Sequence, residues 1–135
     1  MMRQLDDRTW VSGQIAAEEV AGLAQQGVTV LVNNRPDGEE DGQPLAGDIE
    51  EAAAQAGIEY RFIPIARGIG PSDIRAMDEA IGAAGAGKML AFCRSGTRSA
   101  LACALVQRKQ GAPREEVEQR LNQVGVDSGP IAHLL

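Results

Sequence analysis

The stretch VTVLVNN, residues 28–34, restricts the possible folds more than any other segment. It is β-branched and almost wholly apolar, without the in-and-out alternation of a strand that turns one face to water. A run of this kind belongs to a strand covered on both faces, the usual condition of a parallel sheet held between helices. KMLAFC, residues 88–93, has the same character. TWVSGQ (9–14) and IEYRFIPI (58–65) read as further strands, and helical segments fall between them: 16–27, 48–57, 71–87, 98–111 and 112–125. Val20, Leu23 and Ala24 share one face of the first of these segments, and Gly27 stops it. Pro71, Ser72 and Asp73 form a helix-start signal. Strands alternating with helices predict an α/β fold of three layers, a mainly parallel central sheet flanked by helices and crossed right-handedly. In such sheets the site lies at the carboxyl ends of the strands. Cys93 is read as the last residue of one of them.

With 135 residues the chain has enough surface to bury for one core and too little for two, so residues 1–135 are expected to form a single domain. The formal net charge of −6 argues against a general nucleic-acid binder, which needs a basic face, and leaves room for a local basic pocket. No apolar run approaches the roughly 20 residues of a spanning helix, and nothing in the polar start MMRQLDDRTW suggests an export signal. A soluble, cytoplasmic protein without membrane association is expected. Two cysteines and a single histidine, His133, match neither a disulfide framework nor a zinc site. Neither a metal nor an organic cofactor is implied.

The segment CRSGTRS, residues 93–99, carries the chemistry. A turn from strand into helix points its backbone N–H groups inward, and the helix adds its positive end, which makes an anion cradle. Gly96 gives the turn its backbone freedom. Arg98 offers a bidentate fork to a tetrahedral oxyanion. A thiol in this cradle should ionise below the free value of about 8.5 and act as a nucleophile. Ser95, Thr97 and Ser99 can bond the thiolate or cap the helix, Ser99 from the best position. Arg94, Ser95, Gly96 and Thr97 form the loop that would hold a small anion, and Arg35, at the end of the second main strand, could add charge at the same sheet edge. Asn33 and Asn34 either steady loops or bind substrate, and Arg67 lies in a glycine-rich turn that could face the pocket. Cys103 follows Arg98 by five helical residues, about 7.5 Å of rise, so it reads as a core residue and not as a disulfide partner of Cys93.

The loop resembles those of the cysteine-based phosphatases and the rhodanese sulfurtransferases. Through VSGQI, VNNRPDGEEDGQP, AAAQAGIEYRFIPI and FCRSGTRSA, the chain is similar over roughly residues 5 to 110 to the beta-lactamase hydrolase-like, phosphatase-like domain family. That resemblance implies a cysteine-phosphatase-like fold. It leaves two reactions open. Phosphatases of this type resemble Cys, five residues, Arg; here four residues separate Cys93 from Arg98, as in the rhodanese loop, and Phe92 stands where a His commonly precedes the phosphatase nucleophile. Cleaving a phosphate ester also calls for a carboxylic acid as proton donor, whereas a sulfane donor releases sulfite or a thiolate without one. Asp73, in PIARGIGPSD, and Asp37, in the polar loop after VLVNN, are the possible acids.

The leading expectation is a sulfurtransferase that passes sulfane sulfur through a Cys93 persulfide, with thiosulfate or a small persulfide as donor. The alternatives are a phosphatase with a Cys93 phosphoryl intermediate acting on a phosphate ester, and a non-catalytic sulfur carrier or anion-binding adaptor. A sulfide-oxidising enzyme is the partner expected under the first.

Overall fold

The computed structural model describes residues 2–135. Its strands are β1 (Arg3–Gln4), β2 (Thr9–Ser12), β3 (Val28–Asn33), β4 (Glu59–Phe62) and β5 (Lys88–Phe92). The helices are α1 (Val20–Gln25), α2 (Ala46–Ala56), α3 (Pro71–Ala83), α4 (Thr97–Lys109) and α5 (Arg114–Gln123), with short 3-10 segments at Ala17–Glu19 and Gly129–Leu134. The sheet order is β1-β2-β5-β3-β4. The β2–β5, β5–β3 and β3–β4 pairs are parallel, and only the edge strand β1 runs antiparallel. This is the expected α/β architecture, and β5 occupies the middle of the sheet.

The unbroken apolar runs have a direct cause. Val30 and Val32 of β3, with Met89 and Ala91 of β5, pack into the core under α3, α4 and α5. Leu31, Leu90 and Phe92 turn the other way, onto Val20 and Leu23 of α1 and Ile49 and Ala53 of α2. Both faces of the two central strands are therefore dry, and the six largest of these side chains place several kcal/mol of apolar burial directly beneath the site. Helix α4 is buried from Ser99 to Gln107, which its run of Ala and Cys permits by letting it lie close to the sheet.

Local chemistry sets the element ends. Asp73 Oδ2 accepts the Gly70 N–H at 2.9 Å, and Pro71 occupies the first turn of α3, where a missing N–H costs nothing. Pro64 interrupts the strand expected over 58–65: the ladder closes after Phe62, while Ile63 and Ile65 still donate to Asn33 and Asn34 carbonyls at 2.9 Å each. Helix α1 is shorter than expected and begins as a 3-10 turn. Strand β1, two residues long, is too short to show any period in the sequence. Strand β5 ends at Phe92, so Cys93 opens the loop instead of closing the strand, its N–H donating to Ser12 O at 3.3 Å.

Candidate active site

Residues 93–96 join β5 to α4 in a tight turn around the Cys93 thiol. Gly96 closes it with φ +95°, the left-handed region a side chain rarely enters, and donates its N–H to Cys93 Sγ at 3.1 Å. A methyl group on Gly96 would also run into the guanidinium of Arg3. Arg3 braces the loop from outside by donating to Ser95 O at 2.8 Å and to Val124 O. The turn after β2 braces it from below: Gln14 donates its N–H to Arg94 O at 3.2 Å, and a side chain at Gly13 would press on the same carbonyl. Neither Arg3 nor the Gly13–Gln14 turn carries a local motif, so the sequence gives no sign of them.

Cys93 is fully buried. Burial is the largest single influence on its thiol and opposes ionisation. The backbone N–H groups of Ser99, Gly96 and Ser95 lead the influences that outweigh it and hold the thiol below its ordinary value. The Ser99 hydroxyl has one proton, directed in this structure at Asn34 Oδ1, 2.8 Å away. The amides are thus the thiolate's main support. Cys103, wholly buried without such donors, is pushed up by burial and is inert at neutral pH.

Arg98 projects from the first turn of α4, but its fork is engaged. Its Nη1 donates to Glu39 Oε2 at 2.7 Å and to Ile65 O at 2.8 Å, and its Nη2 to Glu39 Oε1 at 2.9 Å. Arg35, only 2% exposed, donates Nε to Glu39 at 3.0 Å, Nη2 to Glu40 at 2.9 Å and Nη1 to Gln14 Oε1 at 3.1 Å. Arg94 is mostly exposed and lies 3.5 Å from Glu40. The polar loop after β3 is therefore strapped to the anion loop by two carboxylates that the sequence reading left without a role. Hydrogen bonding to Arg98, followed by burial that opposes it and by Arg35, brings the Glu39 carboxyl down to about 2.

The structure sorts the other expected residues. Asn34, fully buried, donates to Ile63 O at 2.9 Å while accepting from Ser99, and so ties β4 and α4 to the end of β3. Asn33 accepts the Arg35 N–H at 2.9 Å and donates to Tyr60 Oη at 3.1 Å. Both asparagines steady loops. Ser95 and Thr97 are exposed and bond each other, Oγ to Oγ1, at 3.1 Å. Arg67 is exposed in the turn after β4. Asp37 Oδ1 accepts the Ala46 N–H at 2.8 Å, at the start of α2, and Asp73 is bonded in the same way at α3. Both possible acids are occupied as helix caps. His133 shares with Arg98 the lining of a cavity of about 340 Å³ walled by Ile65, Leu101 and Ile131. Among the described residues no group of His, Cys, Asp and Glu side chains is arranged to hold a metal.

A cysteine-bearing loop between the central strand and a buried helix, at the carboxyl edge of a parallel sheet, finds its counterpart in known proteins. The family model for the beta-lactamase hydrolase-like protein, phosphatase-like domain, matches residues 1–110. The chain belongs to that family. A beta-lactamase hydrolase-like protein of Xylella fastidiosa (strain Temecula1 / ATCC 700964) is 40% identical over 128 residues, 93% of this chain and 29% of that protein. One from Agrobacterium fabrum (strain C58 / ATCC 33970) is 37% identical over 100 residues, 71% of this chain and 22% of that protein. The chain spans less than a third of the length of these curated relatives. Among solved structures, a candidate phosphatase of Neisseria meningitidis Z2491 superposes with TM-score 0.81 at 30% identity, covering 97% of this chain and 94% of that one. P. aeruginosa TpbA, solved in complex with pTyr, superposes with TM-score 0.67 at 18% identity over 96% of this chain and 76% of that one, and shares the fold. No helix among the described residues of this family member is long and apolar enough to cross a membrane.

Proposed function

We propose that this protein is a cysteine-dependent sulfurtransferase that carries sulfane sulfur on Cys93. The observation that carries the reading is the state of the carboxyl groups. Asp37 and Asp73 each accept a backbone N–H at a helix start, and Glu39, held as a carboxylate near 2 by Arg98 and Arg35, is no proton donor at neutral pH. Sulfur transfer needs no donor. The Cys93 thiolate attacks the outer sulfur of a thiosulfate or thiosulfonate, and the S–S bond of the donor breaks. Its electron pair departs on sulfite or a sulfinate, leaving Cys93 as a persulfide anion in the same cradle of amides. An acceptor thiolate then takes the outer sulfur and returns Cys93 to the thiolate. The loop of four residues between Cys93 and Arg98, shorter by one than the phosphatase ring, supports the same conclusion. A sulfide-oxidising enzyme fits as the partner, since it produces sulfane sulfur.

A second reading, phosphate-ester hydrolysis through a Cys93 phosphoryl intermediate, draws support from the names of the solved structures of this fold, one of them holding pTyr. Comparing the two activities in one set of variants separates the readings. Sulfite release from thiosulfate should need Cys93 and survive Asp73→Asn. Aryl phosphate hydrolysis that needs Cys93 and falls roughly 10²- to 10⁴-fold in Asp73→Asn, without sulfur transfer, would establish the phosphatase instead.

A further inference from the structure

We propose that Glu39 and Glu40 set the charge of the anion this site accepts, selecting a monoanionic sulfane donor such as an organic thiosulfonate over a dianion such as thiosulfate or a phosphate monoester. The choice of donor rests on the sulfurtransferase reading; the selection by charge does not. Around the loop stand four guanidiniums: Arg3, bonded to Ser95 O at 2.8 Å, and Arg35, Arg94 and Arg98, against which the strap sets two carboxylates at 2.7 to 3.5 Å. With Cys93 in its reactive thiolate form as a third negative charge, the cradle carries one net positive charge before a substrate arrives. Arg35 spends one N–H from each of its three nitrogens on Glu39, Gln14 and Glu40 and is 2% exposed, which keeps its fork from an incoming anion. The attraction left for a substrate comes from the loop amides, the helix end, the exposed Arg94 and whatever part of Arg98 turns from Glu39. These suit one negative charge. A second charge exceeds the net charge of the cradle and meets the Glu39 and Glu40 carboxylates.

Glu39 remains charged throughout the working pH range because Arg98 and Arg35 hold it near 2. Its side chain is 28% exposed, so water screens part of the repulsion, and the expected discrimination between one charge and two is roughly tenfold. Loosening Arg98 from Glu39 costs the same for both kinds of anion and cancels from their ratio. For a thiosulfonate the transfer is balanced as before: the thiolate takes the outer sulfur and the electron pair of the broken S–S bond leaves on the sulfinate.

The test uses inert anions matched in shape, methanesulfonate with one charge and sulfate with two, and measures how well each protects Cys93 from alkylation at constant ionic strength. Methanesulfonate should protect at the lower concentration. Glu39→Gln should move the ratio toward sulfate by roughly tenfold. Glu40→Gln, at a side chain 49% exposed, should move it less, while Glu39→Asp, which keeps the charge, and Glu59→Gln, in a separate ion pair with Arg61, should leave it near the parent value. Sulfate protecting as well as methanesulfonate, a ratio unmoved by Glu39→Gln, or no protection by either anion overturns the proposal. Charge selection without any transfer of sulfur from methanethiosulfonate to Cys93 upholds it and removes the sulfurtransferase reading instead.

Discussion

Cys93 and Glu39 are two ionisable groups pushed in the same direction by different means. Backbone amides lower the thiol against the opposition of burial, and guanidiniums lower the carboxyl. Alkylation of Cys93 should therefore stay fast as pH falls below the free-thiol range near 8.5, while Cys103 reacts only once the protein unfolds. An ordinary thiol titration at Cys93 would contradict the cradle. Glu39 makes a separate prediction for stability. Its folded value of about 2 lies below the ordinary 4.5, so its contribution is present above about 4.5 and is lost as pH falls toward about 2. Acid denaturation followed by circular dichroism should be less steep over that window in Glu39→Gln. The sequence makes the loop around Cys93 legible because Cys93, Gly96, Arg98 and Ser99 fall within seven residues and their spacing has a mechanical meaning. It does not make Glu39 legible, since a Glu in a polar loop looks like any solvated charge until the fold brings it 59 positions along the chain onto Arg98.

At the scale of elements, the site depends on how β3, β4 and α4 are tied together. Asn34 makes that junction with its side chain fully buried. Asn34→Leu would leave the Ser99 hydroxyl and the Ile63 carbonyl without this partner and should cost about 3 kcal/mol, measured by urea unfolding. Gly96→Ala forces a side chain into the left-handed region against Arg3, and should cost about 1–2 kcal/mol while slowing Cys93 alkylation. The main strands and helices were readable because their patterns are long: seven residues of VTVLVNN, or the alanine-rich face of α4. Strand β1 was not readable from two residues, and the end of β4 depended on Pro64. The brace from Arg3 to Ser95 joins residues 92 positions apart and has no local signature.

Taken whole, the molecule sets a positive loop at the carboxyl edge of a sheet within an acidic chain of net charge −6. Fold class and family were legible in the sequence, since both rest on runs and motifs that the chain carries contiguously. The reaction was less so, because it turns on the state of acids that only the folded molecule engages: Asp37 and Asp73 at helix starts, Glu39 on Arg98. Fold likeness at 18% identity to TpbA carries the architecture and leaves the leaving group undecided. Intact-mass spectrometry after a single exposure to methanethiosulfonate addresses that point most directly. Sulfur transfer through Cys93 predicts one added sulfur atom, located on Cys93, removed by cyanide or excess thiol and absent from Cys93→Ser. An unchanged mass, in protein whose Cys93 still hydrolyses an aryl phosphate, would contradict it.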